Sequence, residues 1–260
     1  MRERTTDKHW QRYGREDPYF GVVSDTRFHR EQLTPDALRD FFRTGEEHAA
    51  YILEQIRRHM VPDFAPRRVL DFGCGVGRCT LPFGRHADAV LGVDVSGDMI
   101  EEGRRNAETM GAKNVAFDVS DAALSNVEGP FDLVHSFIVF QHIRPRRGEQ
   151  LIRRLIELLS EDGVAVVHVL YRVQLSPVGQ AARWLRKHVP PVHWAANLRY
   201  GKPLRYPLME KNVYPLNRLF YLLQQAGCGQ GMFRLEGRRT MRGLLLFFRR
   251  QPDEIPYNAG

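Results

Sequence analysis

Val69-Leu-Asp71-Phe-Gly73-Cys-Gly75-Val-Gly77-Arg78 is the stretch that decides the fold of this 260-residue chain. Apolar residues run into an acid, and glycines follow at every second position. This reads as a strand that ends in a tight turn and opens a helix. Alternate glycines let the backbone adopt torsions closed to other residues and pass close to a ligand. Free N–H groups at the start of the next helix favour a carboxylate or a phosphate. The spacing departs from the dinucleotide pattern Gly-x-Gly-x-x-Gly, because Gly77 comes one residue early and Arg78 follows it. Asp71, two residues before the first glycine, would repel a pyrophosphate. It suits a ligand that carries an ammonium group.

Outward from this turn, short apolar runs alternate with helical stretches. The runs are 68–72, 90–93, 115–119, 131–137 and 164–170, and the helical stretches lie near 77–86, 97–110 and 147–160. Strands alternating with helices predict right-handed crossovers and a parallel sheet. The runs lack polar alternation, as strands buried on both faces do. A helix near 214–226 ends at Gly227, and two strands near 231–236 and 242–249 are close enough to form an antiparallel hairpin. Before the sheet, Thr34-Pro35 reads as a helix start and Thr44-Gly-Glu-Glu47 as a capping box opening a second helix to about His59. Residues 1–62 are therefore expected to form an N-terminal lid with helices, 63–170 the ligand-binding α/β core, 171–212 an inserted cap, and 213–260 the elements that complete the core. The cap is expected to be partly helical around 177–188. It holds Pro177, Pro190, Pro191, Pro203 and Pro207, with Trp184, Trp194, Tyr200 and Tyr206.

Two further acids support a nucleoside ligand. Ala89-Val-Leu-Gly-Val-Asp94-Val-Ser96 ends the second strand in a carboxylate that can accept both hydroxyls of a ribose, and Ser96 caps the next helix. Met99, in that helix's first turn, is placed to lie on an adenine face or in the core. Asn114-Val-Ala-Phe-Asp-Val-Ser-Asp121-Ala122 ends the third strand in an acid that can accept from an adenine amino group; Asp118, mid-strand, is the weaker choice.

Asp71-x-Gly73-x-Gly75-x-Gly77, Asp94, Ser120-Asp121, Phe131-Asp132-Leu-Val-His135-Ser136 and Leu159-Ser-Glu-Asp-Gly163 resemble, in order, the motifs of class I methyltransferases that use S-adenosylmethionine (SAM). Leu222-Leu-Gln-Gln-Ala-Gly227 resembles the family's last helix end. The similarity is close over 67–170 and looser over 213–249. It implies a Rossmann-like, seven-stranded, mostly parallel sheet with helices on both faces and an antiparallel last strand. It also implies SAM as methyl donor and S-adenosylhomocysteine (SAH) as product. Asp71, Gly73, Cys74, Gly75 and Gly77 would hold the methionine part and Asp94 the ribose. Val95 and Met99 would flank adenine, with Asp121 and Ala122 at its edge. Ser136 and Phe137 would line the channel in which the methyl group meets the acceptor.

An oxygen acceptor must lose a proton, which asks for a base near neutral pH. His142, in Phe140-Gln-His142-Ile143 after the fourth strand, is the candidate, either as that base or as a residue that shapes the loop. His135 reads as a packing residue and His168 as buried in the fifth strand. The aromatics of Trp10-x-x-Tyr13-Gly14-x-x-Asp17-Pro18-Tyr19-Phe20 read as a lid that closes over the ligand or as anchors for the tail.

Composition bounds the rest. The net charge is +7, and the basic residues read as scattered in short groups without interleaved aromatics, so a nucleic-acid partner is disfavoured. The chain also lacks the Asn/Asp-Pro-Pro-Tyr/Phe pattern of enzymes that methylate base amino groups, having His135-Ser-Phe-Ile in its place. No run of roughly 20 apolar residues is present, so no membrane partner is expected. Cys74, Cys79 and Cys228 show no metal-ligand or disulfide spacing, which fits a reducing cytoplasm, and no metal site is expected. The expected activity is methyl transfer to an oxygen of a small molecule such as a sugar or secondary-metabolite hydroxyl. Methylation of a small amine and, further off, of RNA are the alternatives, with the oligomeric state open. A nicotinamide oxidoreductase is disfavoured by the glycine spacing, and a non-catalytic partner subunit by the intact motifs.

Overall fold

A computed structural model of the chain describes residues 4–199, 204, 209–238 and 240–250. Of the cap, Tyr200, Pro203, Tyr206 and Pro207 lie outside the described residues. Three helices come first: α1 (Arg4–Glu16), α2 (Pro18–Val22) and α3 (Pro35–His59). The core follows as β1 (Arg68–Phe72), α4 (Thr80–Phe83), β2 (Ala89–Asp94), α5 (Gly97–Met110), β3 (Val115–Val119), β4 (Phe131–Ser136), α6 (Pro145–Glu157) and β5 (Leu159–Val173). Next come α7 (Pro177–His188), α8 (Pro190–Arg199), α9 (Leu216–Gln225), β6 (Gln230–Arg238) and β7 (Met241–Arg249).

The seven strands form one sheet in the order β3-β2-β1-β4-β5-β7-β6. The five strands from β3 to β5 pair in parallel, and β7 runs antiparallel to both β5 and β6. The expected Rossmann-like sheet and closing hairpin are both present. The order reverses between β1 and β4, and ligands of such sheets bind at the carboxyl ends of the strands at that point. The glycine turn after β1 and the loop after β4 both lie there.

Successive residues of β4 feed opposite faces. Leu133 packs with Ile52 and Ile56 of α3 on one side, and Val134 with Leu151 and Leu155 of α6 and Leu219 and Leu222 of α9 on the other. Each fully buried aliphatic side chain of this kind contributes about 2 kcal/mol of apolar transfer energy. A third cluster joins the N-terminal helices to α5 through Tyr13, Phe41, Met99 and Phe117.

Three expected boundaries move. Residues 35–59 form one helix, not two. Thr34 Oγ1 caps it by accepting from Ala37 N at 3.2 Å. Thr44 Oγ1 instead donates to Phe41 O, and Gly45 lies where α3 crosses the Arg78 carbonyl; a Cβ there would sit 1.8 Å from that oxygen. The glycine serves close packing, not a helix break. The helix expected over 77–86 shrinks to Thr80–Phe83, because Gly73, Gly75 and Gly77 all take positive φ (73°, 55° and 89°), which no right-handed helix accommodates. β5 also begins earlier than expected, with Leu159 already paired to Phe131.

Candidate active site

The turn after β1 folds back on β2. Gly73 N and Cys74 N both donate to Val93 O, at 2.8 and 3.1 Å. Asp94, at the end of β2, accepts from Gly75 N at 3.1 Å through one carboxylate oxygen and from Ser96 N at 2.9 Å through the other. Ser96 Oγ accepts from Met99 N at 3.4 Å, as its place ahead of α5 predicts. Burial pushes the Asp94 carboxyl up to about 6, against the pull of its backbone donors.

A cleft of about 820 Å³, its open mouth included, lies along these strand ends. Gly73, Gly75, Asp94, Val95, Met99, Asp121, Ala122, Phe137 and His142 all line it. Nine of the residues expected at the site therefore share one cleft. The other four, Asp71, Cys74, Gly77 and Ser136, do not line it.

Asp71, expected to hold the methionine part, lies behind the cleft wall. Its register partner in β4 is His135, and His135 Nδ1 lies 2.7 Å from one carboxylate oxygen while Thr80 Oγ1 donates to the other at 2.6 Å. The carboxylate is buried in this network behind the turn. His135 is correspondingly more than packing, since its Nε2 also meets His48 Nε2 at 3.0 Å. Ser136 is buried, with Oγ unpartnered. Gly77 is pressed on Phe117, and a Cβ there would meet the ring at 2.7 Å. Cys74 and Cys79 are buried thiols that burial keeps protonated, Cys79 being pushed up to about 12. The Asp121 carboxylate is occupied in its own turn, accepting from Ala123 N at 2.9 Å and from Ser125.

His142 is buried in the loop after β4. Its Nδ1 lies 2.8 Å from Glu210 O, so Nδ1 carries the proton and donates to that carbonyl. Nε2 then accepts from the Gln141 amide at 2.9 Å. Burial pulls the ring down to about 4, so it is neutral at physiological pH.

Several cleft residues were not among the site residues named from the sequence. Trp10 packs edge-on against His142 with centroids 4.9 Å apart. Val22 of α2 covers Gly75, where a Cβ would come within 2.5 Å of it. Arg147 of α6 pairs with Asp7 of α1 at 3.0 Å, both at the cleft. Ile138 takes φ +65°, a strained conformation for a β-branched residue, directly after Phe137. Trp10 was read as a possible lid aromatic, but nothing in the sequence paired α1 with the start of α6. Among the described residues no group of His, Cys, Asp and Glu is arranged to hold a metal ion.

Residues 69–163 match a family model described as a methyltransferase domain. Trans-aconitate 2-methyltransferase of Methylobacterium nodulans is 38% identical over 42% of this chain and 40% of its own length. Ajmaline N-methyltransferase of Rauvolfia serpentina is 28% identical over 47% of this chain and 42% of its own length. Other relatives include 23S rRNA uracil C5-methyltransferases, matched over 20% to 33% of this chain. The chain thus spans about two fifths, or less, of these relatives' lengths. Magnesium protoporphyrin IX methyltransferase of Synechocystis PCC 6803, solved with bound SAH, has the same fold with a TM-score of 0.61, at 16% identity and over 94% of this chain and 99% of that one.

Proposed function

We propose that this chain, which carries a class I SAM-dependent methyltransferase domain, moves the methyl group of SAM to an acidic oxygen of a small-molecule acceptor. The observation that supports the donor is the meeting, in one cleft, of the glycine turn, the Asp94 carboxylate and the Val95–Met99 wall. The residues present fit the donor. A carboxylate has about four acceptor positions, and Asp94 uses two of them on Gly75 and Ser96, leaving the others for the ribose hydroxyls. Gly73 and Gly75 bring bare backbone to the methionine part, Val95 and Met99 flank adenine, and Ala122 lies at its edge. Asp71 supports the turn from behind through its contacts with His135 and Thr80.

SAM supplies a methyl group that is already electrophilic. The chain's own residues align the acceptor and exclude water. α1 and α2 close the cleft with Trp10, Gly21 and Val22. His142 Nε2 is the ring nitrogen with a lone pair, but the Gln141 amide already donates to it, and a base held near pKa 4 is a poor match for an alcohol. An acceptor that ionises readily, such as a carboxylic acid or a phenol, needs little help. This narrows the expectation of a sugar-like hydroxyl towards acidic oxygens, in keeping with the name of the trans-aconitate relative. A small amine is the second reading, supported by the ajmaline relative.

Two measurements test the proposal. Calorimetric titration is expected to show micromolar binding of SAM and of SAH. Methyl-labelled SAM offered to panels of carboxylic acids, phenols, alcohols and amines is expected to label the first two classes. Absence of binding to either nucleoside removes the donor assignment, and preferential labelling of alcohols removes the acidic-oxygen assignment.

A further inference from the structure

Between Tyr171 and Met209 the sequence holds seven Lys and Arg (Arg172, Arg183, Arg186, Lys187, Arg199, Lys202 and Arg205) and no Asp or Glu. Removing those seven from the chain's 38 leaves 31 cations against 31 acids, so the entire net charge of +7 resides in this segment. The basic excess is not scattered, as the short Arg groups suggested. It arises from the absence of acids over 39 residues and not from runs of basic residues.

The helices of this segment are turned outward. Val178, Ala181, Ala182 and Leu185 stand at positions i, i+3, i+4 and i+7 of α7, which places them on one face. All four are exposed, Val178 to 80%, and no residue of α7 is buried. The opposite side faces the protein. There Arg183 donates to the Lys211 carbonyl, and Lys187 Nζ lies 3.3 Å from a Glu210 carboxylate oxygen. A surface helix of a globular domain normally buries its apolar stripe, and α7 does the reverse. Trp184 at 59% and, on α8, Leu198 at 62% extend the exposed apolar surface.

We propose that the α7–α8 pair docks on an anionic lipid surface, with the apolar face of α7 in the headgroup–acyl boundary and those cations of the described segment that do not face the protein, Arg199 among them, near the phosphates. An amphipathic helix with an apolar face, a tryptophan and a basic rim binds in this way, through buried apolar area together with attraction to anionic headgroups. The aliphatic face selects lipid over nucleic acid. Phosphates of a nucleic acid would satisfy the cations, but Val178 and Leu185 would gain nothing from them. At 12 and 10 residues the helices are about 18 and 15 Å long, far short of the roughly 30 Å a span requires. The expectation of no membrane partner considered spanning segments alone and does not bear on a helix that lies flat. The docked face is tied to the cleft, because Glu210 holds Lys187 through its side chain and His142 through its carbonyl.

Sedimentation of the full chain with phosphatidylcholine vesicles, and with vesicles in which about a third of the lipid is phosphatidylglycerol, tests the proposal without reference to activity. The chain is expected to bind the anionic vesicles and to be released by high salt, with a blue shift of tryptophan emission that Trp184→Ala diminishes. Val178→Asp with Leu185→Asp, both at exposed positions, is expected to weaken binding at least about tenfold with SAM affinity unchanged. Arg199→Gln is expected to weaken it about fivefold. Equal binding of the double variant, or no vesicle binding by the parent chain, overturns the proposal. So does tight binding to single-stranded RNA that the double variant retains while vesicles are ignored.

Discussion

His135 Nδ1 lies 2.7 Å from Asp71 Oδ1 in the interior of the sheet, so the acid of the glycine motif is held from behind and not from the cleft. Thr80 takes the carboxylate's other oxygen, and His48 backs the far nitrogen of His135. Each link lies on a different element (β1, β4, α4 and α3), and the network fixes the turn against three neighbours.

His135→Ala leaves Asp71 Oδ1 of a buried carboxylate without its donor, Thr80 still holding Oδ2, and the expected cost is about 2 kcal/mol of unfolding free energy. His135→Asn, which retains an N–H, is expected to cost less. Urea unfolding followed by circular dichroism measures both. A loss below about 0.5 kcal/mol for the alanine variant would show that the contact carries no stability.

The sheet was legible because its signals are local: Val69–Phe72 and Val164–Leu170 are unbroken apolar runs, and Gly227 marks its helix end with φ +76°. Asp94 and Ser96 were legible for the same reason, since a strand-ending acid and a cap act within a few residues of themselves. The contact of Asp71 with His135 was not legible, because its partner lies 64 positions away and becomes its neighbour only through the β1–β4 register. The outward face of α7 was hidden because the pattern 178, 181, 182, 185 predicts a helix stripe but not which way the stripe faces.

Asp94 makes donor binding depend on pH. Its carboxyl, raised to about 6 by burial, accepts ribose hydroxyls fully only when ionised. Affinity for SAM is expected to be constant above about pH 7 and to be near tenfold weaker at pH 5, where roughly a tenth of the carboxyl is ionised. The folded pKa lies above the unfolded value of about 3.9, so the group's contribution to stability is largest below pH 4 and is lost as pH rises through 6. Donor binding offsets that loss. Asp94→Asn is expected to weaken SAM by about 1–3 kcal/mol and to flatten the pH profile. Calorimetry from pH 5 to 8 decides, and a flat profile in the parent chain refutes the ribose contact.

His142 runs in the opposite direction. Its folded pKa of about 4 lies below the unfolded value of about 6.5. The folded state therefore resists protonation, and stability is lost as pH falls from 6.5 towards 4. Turnover, by contrast, is expected to show no inflection from His142 between pH 5.5 and 8 (roughly), since the ring is neutral throughout. His142→Ala is expected to leave SAM affinity within about twofold and to lower kcat about 10²-fold if Nε2 takes the acceptor's proton. With an acceptor already ionised, the loss is expected to shrink below about fivefold. The same large loss on both acceptor types would show that the ring positions the loop instead.

Arg147 and Asp7 form the clasp between α6 and the first helix, with N–O distances of 3.0 and 3.2 Å and both side chains mostly shielded from solvent. Thr6, Asp7 and Trp10 of α1 all line the cleft, so the helix this pair secures is a wall of the site. A shielded contact in which one guanidinium nitrogen reaches both carboxylate oxygens resists salt better than an exposed pair and restrains the helix at its amino-terminal end. Breaking it with Asp7→Asn is expected to speed SAM dissociation about three- to tenfold with little change in the association rate, because the clasp acts on the closed state. Arg147→Ala is expected to do the same and, by opening the cleft to water, to raise hydrolytic loss of SAM. Exchanging the charges, with Asp7→Arg and Arg147→Asp together, is expected to recover part of the residence time that either single replacement loses. Stopped-flow displacement of SAM by excess SAH measures all four proteins. Dissociation rates that do not differ among them would show that α1 stays in place without the clasp, held by the packing of Tyr13 on Met99 and of Trp10 on His142.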